Sequence, residues 1–391
     1  MQYRQSAFLV NHLVALGHYP EIVENLDPGT VSLLFDDRSE NTGQSLRAEL
    51  ERRVDGRVEI LGVQEASRGG RRWNLGVSIV SFDRVLCRKL FRTWVKLEHG
   101  VYDVGGSSFS DKNLLYDAVL CHGPYSSERL ERVYGVKTYQ VGYPKYSTAV
   151  EQNLSPQSAV RSALGVREDQ LLVSWLPTLD EKNSINAFVD EFSALPENIF
   201  AVAKLHPMTA SLHPDQARGI EVSGVRLLPE NVNFELQDLI LGSDVTVHDL
   251  GGTGLAAIYL WANPIFLEIS DSASTANGER TPESMVRSIL GAVVPGNLSF
   301  AIAESLKVSR PDSPESIMRA GLRRKFFAGE KGLDSLIAAR TISRLAARSW
   351  LLAWADSNPV SRLVRRLAIT RLRKNSVRKL FSQSSVKGGG Q

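Results

Sequence analysis

Cysteine is nearly absent from this sequence: Cys87 and Cys121 are the only two among 391 residues. Two cysteines cannot form the disulfide framework of a small secreted domain, and neither stands in a zinc-site spacing. No run reaches the ~18 apolar residues of a membrane-spanning helix. Asn11 and His12 interrupt the N-terminal apolar residues before a signal-peptide core can form. We expect a cytoplasmic protein, and the sequence predicts neither a metal nor a cofactor.

Charge is unevenly distributed along the chain. The net charge is only +3, yet residues 340–387 contain twelve basic residues and one acid, a net charge of +11 that leaves −8 for the rest. Trp350, Leu351 and Trp354 interleave with arginines in this tail, and we expect Pro359 to divide it into two helices. This composition predicts that residues 343–379 bind an anionic membrane surface, where each basic residue contributes ~1 kcal/mol. We therefore expect peripheral association with the inner face of the cytoplasmic membrane.

The tail has two other interpretations, of which the first remains open and the second is disfavoured. A basic helix can also pack across the protein and leave its charged side in water. Nucleic acid is disfavoured as a partner because Phe381 is the only aromatic residue after Trp354, and no nucleic-acid-binding motif is present.

Short apolar runs alternate with amphipathic segments from Gln5 onwards, which predicts parallel sheets with right-handed crossovers. A polar stretch at 148–157 suggests a boundary between two lobes. We predict an N-terminal lobe over 1–147, a second lobe over 158–335 and the tail over 336–391. The predicted strands include Thr30–Phe35, Val77–Phe82, Tyr116–Cys121, Leu171–Leu176, Phe200–Ala203 and Val245–Val247, and the predicted helices include Ser126–Tyr134, Pro282–Leu290 and Gly332–Leu345.

Residues 200–269 contain the most informative pattern. Lys204 and His206 follow one apolar strand, and Asp249 follows another, just before the turn Gly251-Gly252-Thr253-Gly254. The turn opens a helix, whose backbone N–H groups suit a phosphate, and glycine permits its close approach. In open α/β sheets ligands bind outside the carboxyl ends of the strands. The pattern predicts a site for the diphosphate of a nucleotide-activated donor, in which Asp249 could also bond Thr253.

Two Rossmann-like lobes with donor motifs in the second describe a glycosyltransferase-B-type α/β fold, followed here by a basic amphipathic helical tail. Scattered blocks over 90–345 resemble the CDP-glycerol glycerophosphotransferases, the teichoic-acid primases and polymerases. The resembling blocks are Lys204-Leu-His-Pro207, Asn233 to Asp249, Asn263-Pro-Ile-Phe266, His99-Gly100, His122-Gly123, Gly142-Tyr-Pro144, Pro177-Thr178 and Gly332-Leu-Asp-Ser335. They occur in the family's order.

The resemblance implies roles for particular residues. Lys204 and His206 would contact the donor diphosphate, with Gly251, Gly252 and Thr253 completing the phosphate cradle. Asp249, Thr178 and Gly142 complete the donor-binding set that we predict. His99 would be the general base that deprotonates an acceptor hydroxyl, which suits a residue whose ordinary pKa is near ~6.5. The implied reaction moves glycerol phosphate from CDP-glycerol to a lipid-linked or polymeric cell-surface glycan.

Other functions stay open at this point. The family usually has two serines where this chain has Gly251-Gly252, and an aspartate before paired glycines is also similar to sugar-nucleotide enzymes. A glycosyltransferase that uses a UDP- or CMP-sugar in surface-polysaccharide synthesis is therefore an alternative, as is a non-catalytic nucleotide-sugar-binding scaffold. His206 could merely cap a strand end, and His99 and His122 could be structural histidines.

Overall fold

A computed structural model describes residues 4–11, 13–54, 56, 58–101, 108–151, 157–179, 183–206, 208–228, 235–269, 275–276, 279–307, 313–329 and 332–348. The chain divides into two compact units. The first contains the described residues up to His99, residues 109–147 and the described residues from Ala328 onwards. The second contains residues 100–108 and 148–327, apart from the gaps.

The first unit is built on seven strands with helices between them. Its strands are β1 (Arg4–Val10), β2 (Val31–Phe35), β3 (Glu59–Gly62), β4 (Trp73–Ser78), β5 (Phe91–Leu97), β6 (Ala118–Cys121) and β7 (Thr138–Gln140). Its helices before residue 147 are α1 (Leu13–Leu16), α2 (Pro20–Glu24), α3 (Glu40–Arg53), α4 (Val63–Arg68), α5 (Arg84–Leu90) and α6 (Pro124–Tyr134).

These strands form one parallel sheet in the order β3-β2-β1-β4-β5-β6-β7. The order reverses between β1 and β4, which makes that pair the topological switch point. The hydroxyl of Tyr19 bridges it, since it donates to the carbonyl of Leu9 at 3.0 Å and accepts from the backbone N–H of Ile79 at 3.1 Å. The ring of Tyr19 is buried, so this end of the sheet is closed by a neutral side chain.

Both faces of the first sheet are covered. Phe8 and Val10 pack into one apolar cluster, whereas Ala7 and Leu9 pack into another on the opposite face. This alternation is the period of two expected for a strand, and apolar residues at both sets of positions are typical of a parallel sheet buried by helices.

The predicted boundary at residue 335 differs from the structure. Helix α17 (Asp334–Ala347) crosses that boundary, and its apolar residues at 338, 342 and 345 join the core cluster of the first sheet. The spacing of four and three residues places them on one side of the helix. Burying side chains such as Ile342 and Leu345 stabilises the folded state by ~1.5–3 kcal/mol each. Residues 328–348 therefore belong to the first unit, while the rest of the predicted tail, 349–391, lies outside the described residues.

The second unit repeats the plan with a smaller sheet. Helix α7 (Ser147–Glu151) starts at the boundary between the units. The unit's strands are β8 (Leu171–Leu176), β9 (Ile199–Ala203), β10 (Arg226–Leu227), β11 (Val245–His248), β12 (Pro264–Phe266), β13 (Thr275–Ala276) and β14 (Glu279–Arg280). Its remaining helices are α8 (Gln157–Leu164), α9 (Ile185–Ser193), α10 (Thr209–Leu212), α11 (Pro214–Ser223), α12 (Leu236–Gly242), α13 (Gly252–Tyr259), α14 (Pro282–Leu290), α15 (Leu298–Lys307) and α16 (Pro314–Phe326).

The main sheet of the second unit is parallel, with the order β10-β9-β8-β11-β12, and β13 pairs with β14 in a separate antiparallel ribbon. The order reverses between β8 and β11, so the switch point lies where the residues after Leu176 and after His248 meet. Trp175 of β8 stacks on Phe192 of α9 at 4.1 Å between ring centroids, which fixes that helix on the sheet.

Several helices begin at a proline whose missing N–H costs nothing in the first turn. Two of them also carry a side-chain cap: Thr281 accepts from the N–H of Ser284 at 3.2 Å, and Ser313 accepts from that of Ser316 at 3.1 Å. These local signals define the starts of α14 and α16. Among the described helices, none is both long enough and apolar enough to span a membrane.

Candidate functional site

Three neighbouring strands of the second unit end in the residues that the sequence singled out. Thr178 follows β8, Lys204 and His206 follow β9, and Gly251 follows β11. Since β9, β8 and β11 are adjacent and parallel, their carboxyl ends lie in a row at one edge of the sheet. Lys204 is half-buried and His206 is exposed. The structure thus brings these predicted residues together on one edge, which we call the second-unit edge.

The ring of His206 is held in one tautomer. Its Nδ1 accepts a hydrogen bond from the backbone N–H of Met208 at 3.2 Å, so the proton of the neutral ring lies on Nε2. Desolvation of the ring, together with the positive charge of Lys204, lowers the pKa of His206 below its ordinary value. At neutral pH His206 is therefore a neutral donor beside a cationic lysine, a combination suited to phosphate oxygens.

The side chain of Asp249 stabilises the second-unit edge through hydrogen bonds. Asp249 is buried, with 1% of its surface exposed. It accepts from the N–H of Thr178 at 2.9 Å, the N–H of Ser184 at 2.8 Å, the hydroxyl of Ser184 at 2.9 Å and the N–H of Leu250 at 2.6 Å. Burial raises the pKa of Asp249, and these four donors oppose that rise. The carboxylate binds the end of β8 to the end of β11, so the geometry favours a positioning role for this predicted donor-binding residue.

The glycine turn requires its first glycine. Gly251 has a φ of +94°, and a Cβ there would lie 3.0 Å from Oγ1 of Thr178. Gly252 is the first residue of α13, whose first-turn N–H groups have no acceptors within the helix and carry its positive dipole end. An anion at this point would meet backbone donors at close range, as the sequence predicted.

Thr253 bonds a different residue from the one expected. Its hydroxyl lies 3.1 Å from Nδ1 of His248, and Nε2 of the same ring lies 2.9 Å from the hydroxyl of Thr246. Burial lowers the pKa of His248 to about 3, so the ring is neutral and holds Thr253 in place. The suggested Asp249–Thr253 bond is therefore replaced by a His248–Thr253 bond, because both oxygens of Asp249 are engaged elsewhere.

The first unit gathers histidines at the carboxyl edge of its own sheet, which we call the first-unit edge. His99 stands two residues beyond β5 and is half-buried. Its ring lies 6.2 Å from that of the buried His18, centroid to centroid, in an edge-on arrangement. The hydroxyl of Tyr143 lies 3.5 Å from the carbonyl oxygen of His99. His99 is thus a partly accessible imidazole in an aromatic surrounding, which is compatible with acid–base chemistry.

Gly142 belongs to this edge of the first unit, whereas the other predicted donor-binding residues belong to the second unit. It follows β7, and its carbonyl accepts from Nδ1 of the buried His122 at 2.8 Å. The ring of His122 lies 4.2 Å from that of Tyr143. Glu98 accepts from the N–H of His122 at 2.8 Å and from the hydroxyl of Ser126 at 2.9 Å. Gly142 is therefore placed to orient His122 within the first unit.

No metal centre is apparent in the part of the chain that the structure describes, where no three or more His, Cys, Asp and Glu side chains are grouped to hold an ion.

The sequence matches no protein-family model and no curated protein. Its structure, in contrast, is similar to solved ones. A variant of the wall teichoic acid polymerase TagF superposes with a TM-score of 0.63 at 12% identity, over 90% of each chain. The same polymerase soaked with CDPG gives 0.62 at 12% identity, over 89% of this chain and 90% of that one. HepE from Anabaena, in complex with UDP and glucose, gives 0.53 at 12% identity, over 89% of this chain and 99% of that one.

The fold is of the glycosyltransferase-B type. This confirms the predicted α/β architecture of two Rossmann-like lobes, each with a sheet wound on both sides of a switch point. At 12% identity the likeness establishes the fold and leaves the residue roles to the geometry of this chain.

Sequence reasoning missed the residues that support the two edges. Ser184 and Glu98 are ordinary polar residues in sequence, and only the fold shows that they bond Asp249 and His122. Asp334 lies in one of the resembling blocks, but the sequence gives it no role; its carboxylate accepts from the N–H of Tyr143 at 2.7 Å. The only sequence signal for it was the Gly332-Leu-Asp-Ser block.

Proposed function

We propose that this protein is a transferase that uses a nucleotide-activated donor and binds the donor diphosphate at the second-unit edge. The observation that carries this proposal is the row of three adjacent strand ends, in which Lys204 and His206 follow β9, Thr178 follows β8 and the first turn of α13 follows β11. A lysine, a neutral Nε2–H and backbone N–H groups provide complementary charge and hydrogen bonds for phosphate oxygens. Asp249 fixes the N–H of Thr178 at the end of β8, and His248 fixes the hydroxyl of Thr253 in the first turn of α13.

The donor that we favour is CDP-glycerol. Support comes from the sequence blocks and from the likeness to TagF, one structure of which was soaked with CDPG. In the proposed reaction an acceptor hydroxyl oxygen forms a bond to the β-phosphorus, and the bond from that phosphorus to the bridging oxygen breaks. The hydroxyl proton goes to His99, and CMP leaves with the electron pair. Lys204 and His206 stabilise charge on the phosphate oxygens as it develops.

A glycosyltransferase that takes a UDP- or CMP-sugar is the second candidate. It is supported by the likeness to HepE, which was solved with UDP and with UDP-glucose. The paired glycines at Gly251 and Gly252 also favour it, because backbone N–H groups alone recognise a diphosphate without discriminating what it carries. A non-catalytic scaffold that binds a nucleotide sugar is the third candidate.

The acceptor and the location are part of the same proposal. We expect a lipid-linked or polymeric glycan acceptor of a surface polymer such as teichoic acid or capsule, used at the inner face of the cytoplasmic membrane. The support is the charge of +11 over residues 340–387, which would hold the protein on anionic lipid through 343–379. Most of that segment lies outside the described residues.

The test is a thermal-shift panel on the full-length protein with CDP-glycerol, CMP-Kdo, UDP-glucose and GDP-mannose. A ligand at a hundredfold its dissociation constant stabilises the folded state by ~2.7 kcal/mol, which is readily measured. The proposal predicts a shift with CDP-glycerol that is lost in Lys204→Ala and His206→Ala. Lys307→Ala, which removes an exposed lysine paired with Glu304, is the matched control and should retain the shift.

Each outcome separates the candidates. A shift with a sugar nucleotide alone would replace the glycerophosphotransferase by a glycosyltransferase. A shift that persists in Lys204→Ala would move the donor away from the second-unit edge. Donor binding with unchanged turnover in His99→Ala would contradict the role of His99 as base. If the wild type binds a donor but catalyses no transfer, the non-catalytic scaffold is the remaining candidate.

A further inference from the structure

One peptide group at the first-unit edge is hydrogen-bonded on both sides. The carbonyl oxygen of Gly142 accepts from Nδ1 of His122 at 2.8 Å, and the N–H of the same peptide, that of Tyr143, donates to Oδ2 of Asp334 at 2.7 Å. The order is therefore imidazole, peptide, carboxylate. Asp334 is 191 residues from Tyr143 in sequence, and no catalytic role proposed above uses it.

Asp334 is fixed in this position by its packing. It is 1% exposed and lies in the first turn of α17, where the helix dipole favours a carboxylate. Gly142, at a φ of +73°, has no Cβ, and one built there would lie 2.1–2.4 Å from the three carboxyl atoms of Asp334. A Cβ on Gly329 would also collide with that carboxylate. Glycine at both positions therefore allows this carboxylate to lie against the peptide.

The segment around Asp334 is tied to the rest of the edge. The hydroxyl of Ser147 donates to the carbonyl of Gly332 at 2.6 Å and accepts from the N–H of Ser335 at 3.2 Å. The N–H of Ala328 donates to the carbonyl of His122 at 2.7 Å. His122 is therefore held by its backbone and its ring at once.

The chain of bonds determines the tautomer of His122. A carbonyl oxygen can only accept, so Nδ1 must carry the proton and Nε2 must be the basic nitrogen. This is the opposite of the tautomer that free imidazole side chains prefer in water. A carboxylate on the peptide N–H polarises the peptide and strengthens the bond that its carbonyl oxygen accepts. Burial lowers the pKa of His122, against the charge of Glu98, so the ring is neutral at neutral pH.

We propose that Asp334 is a positioning residue that acts through the Gly142–Tyr143 peptide to hold His122 as its Nδ1–H tautomer and to fix Tyr143 against His99. The consequence for the transfer reaction rests on the proposed function; the consequence for the tautomer does not. Asp334 itself touches no reacting atom.

The first arm of the test is nitrogen NMR of the full-length protein labelled with ¹⁵N-histidine. The resonances of His122 are assigned by their loss in His122→Gln. We expect a protonated Nδ1 and an unprotonated Nε2 at neutral pH in the wild type. An Nε2–H tautomer in the wild type would overturn the proposal whether or not any variant folds.

The second arm compares Asp334→Asn with Ser147→Ala. Asparagine keeps the size and one acceptor oxygen but removes the charge, whereas Ser147→Ala loosens the same segment without touching the peptide. We expect a partial shift of His122 towards the Nε2–H tautomer in Asp334→Asn only. With the donor and acceptor found for the wild type, kcat should fall by roughly 10- to 100-fold in Asp334→Asn, the range of a charge-assisted hydrogen bond, with unchanged donor affinity.

Equal tautomer populations in Asp334→Asn and the wild type would overturn the proposal. If Asp334→Asn and Ser147→Ala change the tautomer populations and kcat equally, Asp334 is only a structural anchor. That result would also overturn the proposal. If the tautomer shifts as expected but no donor ever binds, the proposed function fails and the assignment of Asp334 stands.

Discussion

The two sheets close their switch points in different ways. In the first unit the hydroxyl of Tyr19 bridges β1 and β4 with two hydrogen bonds. In the second unit the carboxylate of Asp249 bridges β8 and β11 with four. A buried charge is costly unless donors surround it, so a carboxylate persists at this position only because the local chain is arranged around it. The same topology thus has a neutral closure in one unit and a charged one in the other.

The difference matches what each edge offers to a ligand. The second-unit edge presents Lys204, His206 and a helix N-terminus, which suit an anion, while both oxygens of its carboxylate, that of Asp249, already accept hydrogen bonds. The first-unit edge presents imidazoles and tyrosines, which suit proton transfer at a hydroxyl. We infer that binding and acid–base chemistry are divided between the units.

The largest effect on stability is expected from Asp249→Ala. The change leaves four buried donors without their acceptor, so the free energy of unfolding should fall by about 3–4 kcal/mol. Asp249→Asn retains one acceptor oxygen and should lose about half of that. Urea denaturation of the two variants checks the order. If Asp249→Ala lowers the free energy of unfolding by less than Tyr19→Phe does, the contrast between the two closures is wrong.

Acid should destabilise the protein through His248. Its pKa is about 3 when folded against 6.5 when exposed, so below pH 6.5 the unfolded state binds a proton that the folded state does not. The stability due to the neutral ring is complete above pH 6.5 and is lost as the pH falls towards 3, on the order of 2–3 kcal/mol by pH 4.5. Urea denaturation at several pH values measures this slope. His248→Gln, which cannot titrate, should flatten it, and an unchanged slope would place the acid sensitivity elsewhere.

Replacing glycine by alanine should cost more stability at the first-unit edge than at the second-unit edge, because the added methyl group meets tighter packing there. Gly142→Ala forces a buried carboxylate to move and should cost about 2–3 kcal/mol, whereas Gly251→Ala meets only the hydroxyl of Thr178 and should cost about 1–2 kcal/mol. Gly135→Ala is the control, because its φ of +61° is similar but nothing lies within 4 Å of the added methyl group. Thermal unfolding gives the three values. Equal losses in all three variants would show that backbone strain alone decides the cost.

The smallest effect is expected from Tyr19→Phe. The ring still fills its place, but the N–H of Ile79 loses its acceptor and the carbonyl of Leu9 loses one donor, so the cost should be about 1–2 kcal/mol. Chemical denaturation beside Asp249→Ala completes the comparison. A cost as large as that of Asp249→Ala would mean that the neutral closure is as essential as the charged one.

Local sequence patterns predicted much of the fold. Leu171–Leu176 and Pro282–Leu290 have the predicted bounds, because a continuous apolar run and a capped, proline-started helix are local signals. The strand predicted at Val77–Phe82 lies at Trp73–Ser78 instead. There Asn74 and Gly76 interrupt the apolar pattern, and the strand is defined by pairing with its neighbours on the sheet.

The candidate site was predictable where it lies on strand ends and unpredictable where it depends on distant partners. Lys204, His206 and the glycine turn follow apolar runs, so their common edge could be inferred from topology. The support of Asp249 by Ser184 and of Tyr143 by Asp334 spans 65 and 191 residues, and no local pattern encodes such contacts. The same holds for α17, whose apolar residues gave no indication of which sheet they would cover.

The division between the two units can be tested most directly by titration calorimetry of CDP-glycerol with the full-length wild type, Lys204→Ala and His99→Ala. The account predicts that Lys204→Ala weakens binding by roughly tenfold or more, the loss of one charge-assisted contact, while His99→Ala binds as tightly as the wild type. Equal weakening by both substitutions, or by neither, would contradict the assignment of donor binding to the second-unit edge and of proton transfer to the first.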